Sequence, residues 1–214
     1  MFQKMKIDFD IYQPKPLLIV ISGLSGAGKD SVVGKLKERN FPFHFVVTAT
    51  SRLPREGEVH GVDYFFFSKE EFEAMIAANQ LIEYAMVYDQ YKGVPASQVT
   101  DALASGKDVI MRVDYQGAKT IREQFPQAVL IFVLPENPEE WLERLVERGQ
   151  DSEDQLKIRL ETAQKEMEAA RQYFDYVVIN PKGQLDIAVD MVVSIINTEH
   201  HRINHREFGK TEEK

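Results

Sequence analysis

The chain contains no cysteine, which removes disulfides and thiolate metal sites from any account of how it folds and works. It also lacks a long apolar run. The longest candidate, Leu17-Leu18-Ile19-Val20-Ile21, has the length of a buried strand and falls far short of the roughly 20 residues a bilayer-spanning helix needs. Met1 to Pro16 mixes Lys, Asp and aromatic residues, so it has neither the apolar centre of a secretory signal nor the acid-poor character of a transit peptide. An excess of positive charge is missing as well. With a formal net charge of −8, the chain would repel a long polyanion, which argues against nucleic acid as a partner. A small phosphate ligand stays available, because a few local cations can override the global field. No internal repeat or low-complexity stretch is present. What remains is a chain of 214 residues, enough for one α/β core with small appended segments, of a composition that fits a reducing cytoplasm and no membrane.

Short apolar runs recur between amphipathic stretches. Leu17–Ser22, Phe45–Thr50, Val109–Asp114, Val129–Leu134 and Tyr176–Ile179 read as strands buried on both faces. Lys29–Asn40, Pro95–Ser105 and Ala118–Phe125 read as helices. Ser68-Lys69-Glu70-Glu71 and Ser152-Glu153-Asp154-Gln155 have capping-box spacing and announce two more. This alternation predicts an α/β fold with a mostly parallel central sheet and helices on both faces. The core is expected in 15–50, 95–137 and 173–198. Two insertions interrupt it, a β-rich segment at 51–94 and a helical one at 138–172. Residues 1–14 and 199–214 are left as polar tails.

After the first strand comes Gly23-Leu24-Ser25-Gly26-Ala27-Gly28-Lys29-Asp30-Ser31, in which Gly23, Gly28 and Lys29 keep the G-x-x-x-x-G-K spacing of a phosphate-binding loop. Glycines let backbone N–H groups curl around phosphate oxygens. The following helix adds the positive end of its dipole, and Lys29 reaches the outer phosphates. Ser25, Gly26, Ala27 and Gly28 are therefore expected against ATP. The motif departs at Asp30, where Ser or Thr usually meets Mg²⁺. Ser31, one place on, offers the hydroxyl instead, so the protein ligand of the metal is left open, with Ser31 the candidate.

The 51–94 insertion opens with Thr48-Ala49-Thr50-Ser51-Arg52-Leu53-Pro54-Arg55-Glu56-Gly57-Glu58-Val59-His60-Gly61-Val62-Asp63-Tyr64-Phe65-Phe66. This string resembles the guanylate kinase family, and it is far more specific than the loop motif. Ile82-Glu83-Tyr84-Ala85, Val113-Asp114-Tyr115-Gln116-Gly117-Ala118, Arg144-Leu145 through Arg148-Gly149, Arg159-Leu160 and Tyr176 to Asn180 extend the resemblance from about Pro16 to Thr198. It implies a P-loop nucleoside monophosphate kinase fold, with 51–94 binding GMP and 138–172 acting as a lid. Arg52 and Arg55 suit a phosphate clamp, since guanidinium forks match phosphate oxygens, and Tyr64 can add a hydroxyl. Glu83 can accept from the N1–H and 2-amino edge of guanine, a pair that adenine does not offer. The resemblance adds Thr48 and Asp114 near the base. It also puts Arg144, Arg148 and Arg159 over ATP at lid positions, with Asn180 beside the same nucleotide.

Three departures from the family pattern stand together. Tyr91-Lys92-Gly93-Val94 replaces a second Tyr by Lys92 and a hydroxyl residue by Val94, both of which fall at GMP-binding positions. Arg112 stands two before Asp114 where an acid is more usual. Together with Asp30, these are similar to the variant pattern of plant organellar guanylate kinases. Asp30 and Arg112 are expected to pair, acid and base having traded places, since the strand before the glycine loop and the strand leading to Asp114 usually neighbour one another in such folds. The implied reaction moves the γ-phosphoryl of ATP to GMP, and also to dGMP, with Mg²⁺. The GMP phosphate is already anionic, so no general base is required. Lys29, Arg52, Arg148 and Arg159 are the expected catalytic cations. Another small-molecule phosphokinase, such as a ribose bisphosphate kinase, and an inactive binding module of guanylate-kinase type are the rival readings. A homodimer is left open.

Overall fold

Successive residues of the first strand, β1 (Leu18–Gly23), point to opposite sides of a sheet, and both sides are buried. Leu18 and Val20 enter one apolar cluster, Ile19 and Ile21 another, so helices must cover both faces. The computed structural model describes residues 12–87, 90–147 and 153–203. In chain order, β1 leads to α1 (Lys29–Glu38), β2 (His44–Phe45), β3 (Ala49–Thr50), β4 (Phe65–Phe66), α2 (Lys69–Ala77), β5 (Leu81–Val87) and β6 (Gln90–Pro95). There follow α3 (Ala96–Ala104), β7 (Val109–Arg112), α4 (Tyr115–Gln124), β8 (Val129–Leu134), α5 (Pro138–Glu147), α6 (Glu153–Tyr173), β9 (Tyr176–Ile179) and α7 (Leu185–His200).

The main sheet has the order β2-β7-β1-β8-β9, and every pairing in it is parallel. One cluster joins Ile19 and Ile21 to Val32 and Leu36 of α1 and to Val189 and Val192 of α7. The other joins Leu18 and Val20 to Val99 of α3 and to Ala118 and Ile121 of α4. Ile21 of β1 lies opposite Arg112 of β7. The turns that follow these two strands therefore open side by side at the carboxyl end of the sheet, where open α/β sheets bind ligands.

A second sheet, of order β4-β3-β6-β5, is built by the 49–95 region. The β5–β6 hairpin is antiparallel, and its register shifts between Leu81 and Glu83. Such a bulge re-aims the side chains that follow it. The capping box expected at Ser68 is present: the Ser68 hydroxyl accepts from the Glu71 amide, and the Glu71 carboxylate accepts from the Ser68 amide.

Two sequence expectations change. Phe45–Thr50 is not one strand. His44–Phe45 joins the edge of the main sheet beside β7, and Ala49–Thr50 joins the second sheet between β4 and β6, so the run serves as the corner between them. The boundary of the expected 199–214 tail also moves, because α7 runs to His200. Buried Glu199 accepts from the Tyr176 hydroxyl at 2.5 Å, and His200 Nε2 meets Asp108 at 2.8 Å. Asp108 also accepts from the Leu17 amide, at 2.9 Å.

Phe132 is fully buried in the centre of the sheet and meets Phe174 edge to face at 5.1 Å. Phe132→Ala is expected to cost about 3–5 kcal/mol in urea unfolding followed by circular dichroism. A loss below about 1 kcal/mol would mean that the ring is not a core support.

Candidate active site

On one side of the crevice, the loop from Gly23 to Gly28 carries β1 into α1. Gly26 and Gly28 have φ of 92° and 84°, the left-handed region that suits glycine. At Gly28 a Cβ would come within 2.4 Å of Asn180 Nδ2, so a side chain is excluded twice over. Asn180 is buried and donates to the Ala27 carbonyl at 2.8 Å. Arg144 donates to the same carbonyl at 3.1 Å, to the Asn180 carbonyl at 2.6 Å, and to Glu140 one turn earlier. The family resemblance puts Arg144 over ATP as a lid cation. In this form it makes the glutamate pair and fastens the loop from outside.

Ser25 is held at all three of its polar positions. Its N–H donates to Glu166 at 3.2 Å, its carbonyl accepts from the Trp141 indole at 2.9 Å, and its hydroxyl accepts from Arg159 at 2.9 Å. Neither Trp141 nor Glu166 belongs to a motif legible in the sequence. Glu166 is buried; burial pushes its carboxyl up, while the Ser25 amide and then Lys29 pull it back. Lys29 opens α1, and Asp30 and Ser31, next along, are exposed. Arg148 lies outside the described residues.

Asp30 and Arg112 pair at 2.5 Å, as the exchanged charges led us to expect. Asp30, Arg112, Thr48 and Tyr64 all line one cavity of about 180 Å³. A residue of the glycine loop's helix and two residues of the arginine string thus share a single hollow.

On the other side, Arg52 does not stand open to solvent. Its guanidinium makes a forked pair with Glu58, at 2.6 and 2.5 Å, and lies 5.0 Å from the Tyr64 ring and 5.4 Å from the Phe66 ring. Arg52 and the Arg55 amide hold the Glu58 carboxyl well down, at about 2. Arg55 and Lys92 are exposed. Val94, counted with the nucleotide positions, is fully buried among Ile82, Val99 and Leu18. Its side chain has no polar atom and faces the core, so it offers a ligand nothing.

Glu83 follows the β5 bulge and reaches the start of α4, where Gly117 leaves room for it: a Cβ there would come within 3.1 Å of Glu83 Oε2. Asp114 caps the same helix, with Oδ1 accepting from the Gln116 and Gly117 amides at 2.9 Å each. Burial, and then the neighbouring Asp114 charge, push the Glu83 carboxyl from 4.5 up to about 7. Glu58 and Gly117 lay within the strings read from the sequence. Their roles needed the fold, because their partners are six residues away or on another element.

A glycine-loop α/β sheet with a second, arginine-bearing sheet across the crevice defines a P-loop phosphotransferase with an anionic acceptor. The guanylate kinase family profile matches residues 15–199, and the chain belongs to that family, whose members are ATP:GMP phosphotransferases. It is 47% identical over 194 residues to guanylate kinase 2, chloroplastic/mitochondrial, of Oryza sativa, covering 90% of this chain and 68% of that one. It is 45% identical over 190 residues to the guanylate kinase of Clostridium tetani, covering 89% of each. The crystal structure of guanylate kinase from Anaplasma phagocytophilum superposes with a TM-score of 0.69 at 26% identity, over 90% of both chains.

The raised Glu83 carboxyl has a consequence for folding. Its proton is held more tightly in the folded state, so its contribution to stability is full below about pH 4.5 and lost as pH rises through about 7. Glu83→Gln, neutral throughout, is expected to be more stable than the parent by about 1–3 kcal/mol at pH 8 and by under about 1 kcal/mol at pH 5. Thermal melts at the two pH values check this; an equal difference at both would contradict it.

Proposed function

We propose that this crevice holds ATP on the Gly23–Lys29 loop and GMP on the arginine sheet, and passes the γ-phosphoryl group directly between them. The observation that carries this reading is that Asp30, the residue after Lys29, lines the same cavity as Thr48 and Tyr64 of the arginine string. An oxygen of the GMP phosphate attacks the γ-phosphorus, and the bond from that phosphorus to the bridging oxygen of ADP breaks. The nucleophile is already anionic, so the chain's task is alignment and charge neutralisation.

Lys29 and the loop amides face the donor phosphates. Arg52, Arg55 and Tyr64 receive the acceptor phosphate, with Lys92 in the place of a second phenol. Glu58 holds the Arg52 fork over the two rings, so little side-chain freedom is lost when a phosphate arrives. Ionised Glu83 accepts the two donors of guanine's edge, and Thr48 and Asp114 stand beside the base. Arg144, Arg148 and Arg159 belong to the segment that covers ATP, and closure there would keep water from the γ-phosphoryl.

Mg²⁺ belongs to the same reading and would neutralise charge on the transferring phosphates. Hard divalent cations take oxygen ligands, and the Ser31 hydroxyl at the head of α1 would supply one, next to Asp30, which Arg112 holds. Among the described residues no group of three or more acidic or histidine side chains is gathered to hold a metal, which suits a cation that arrives with the nucleotide. Use of dGMP and a cytoplasmic setting complete the proposal. No described helix is long and apolar enough to cross a membrane.

A coupled assay of ADP release with GMP, dGMP, AMP, IMP and ribose bisphosphate tests the acceptor. GMP is expected to exceed AMP and ribose bisphosphate by at least about 10³-fold in kcat/KM, because a buried carboxylate left unpaired penalises the wrong base. Equal turnover of AMP would remove the proposed role of Glu83. The KM for GMP is expected to rise about tenfold from pH 8 to pH 6, as Glu83 takes up its proton. Glu83→Gln should lack that step, and a parent profile parallel to the variant's would refute the assignment.

A further inference from the structure

We propose that Glu166 is a positioning residue of the donor site, setting the phosphate loop through the backbone of Ser25. The inference rests on the proposed placement of ATP on that loop.

A phosphate cradle works only if its amides keep their directions when the ligand is absent, since any donor that must first turn costs affinity. Ser25 lies in the middle of the loop, between the β1 end and the left-handed Gly26. Its N–H is aimed by Glu166 of α6, its hydroxyl by Arg159 of the same helix, and its carbonyl by Trp141 of α5. Leu145 of α5 packs where a Cβ on Gly26 would lie, at 3.1 Å. One segment, 138–172, therefore grips one loop residue at three atoms.

The Glu166 contact differs from the other two. Its carboxylate is buried, where a polar group is costly unless it is bonded, and it accepts from the Ser25 amide. Lys29 lowers and Asp114 raises the Glu166 carboxyl, and the contact that fixes its place is the Ser25 amide, 3.2 Å from Oε2. From there it takes up a loop amide that would otherwise turn freely or point at nothing. The requirement is an acceptor at the right reach. A full negative charge beside incoming phosphates is not what the loop needs.

Reach and charge can be separated. Glu166→Gln keeps the length and an acceptor oxygen and discards the charge; Glu166→Asp keeps the charge and loses the reach by one methylene. Steady-state kinetics should show the KM for ATP raised about tenfold in Glu166→Asp, the scale of one buried amide left without its acceptor, and within about threefold of the parent in Glu166→Gln. The KM for GMP should stay within about twofold in both, because the acceptor sheet is untouched. Trp141, the single tryptophan, is bonded to Ser25 and reports the loop directly. Titrating its emission with ATP and Mg²⁺ alone should give the same order of affinities without any acceptor. Donor binding is thereby read even if GMP is not the acceptor. The proposal is overturned if Glu166→Gln is as impaired as Glu166→Asp, if neither alters ATP affinity, or if GMP and ATP constants rise together. Melting curves of both variants show whether either change is mere unfolding.

Discussion

Everything at the donor side depends on one backbone constraint: the loop after β1 must turn its amides inward, and Gly28 can do so only in a left-handed conformation beneath Asn180. The amide of Asn180 occupies the space that a side chain at Gly28 would need, and in return it binds the Ala27 carbonyl. Arg144 then binds both that carbonyl and Asn180's own, so loop, β9 end and α5 become one hydrogen-bonded unit. A loop that would be expected to be mobile is held by partners drawn from three separate elements, consistent with the need for preorganised donors.

The acceptor side answers a different problem, the storage of charged groups before their ligands come. Arg52 and Glu58 store each other: the ion pair holds the fork over two aromatic rings. Glu83 and Asp114 have no such relief from each other. Two carboxylates share a half-buried corner, one tied up as a helix cap and the other driven toward its neutral form. A site that reads guanine with an anion must keep that anion dry, and the folded protein is less stable above neutral pH for it. This is the usual conflict between stability and function at a binding site.

Asp30 and Arg112 show a third solution. An acid next to the loop lysine would oppose phosphates if left alone. Its partner sits at the end of β7, the strand paired with β1, so the charge is cancelled across the sheet. Both residues are substantially exposed, and the pair adds little to stability. Its effect is local, on the potential at the mouth of the crevice.

Much of this was legible in the residues themselves. Continuous apolar runs, the glycine spacing, the arginine string and the exchanged charges are local or nearly local patterns, and strand–helix alternation is enough to predict a parallel sheet. Glu166 and Trp141 could not be read as loop partners, because their contacts with Ser25 span 141 and 116 residues and leave no mark in spacing. Val94 matched a site position and lies opposite Glu83 in the hairpin, but its side chain is fully buried, and only the fold decides which side chains of β6 are dry. The split of Phe45–Thr50 between two sheets has the same origin: a β-prone run states that it will pair, and tertiary neighbours choose with whom. The sequence alone therefore determined the class of fold and the chemical types at each phosphate site, because these follow from local covalent and steric rules. Only the tertiary structure decided which groups are buried, what they are bonded to, and hence which are ready to bind, because desolvation and long-range hydrogen bonds exist only once distant segments are packed together.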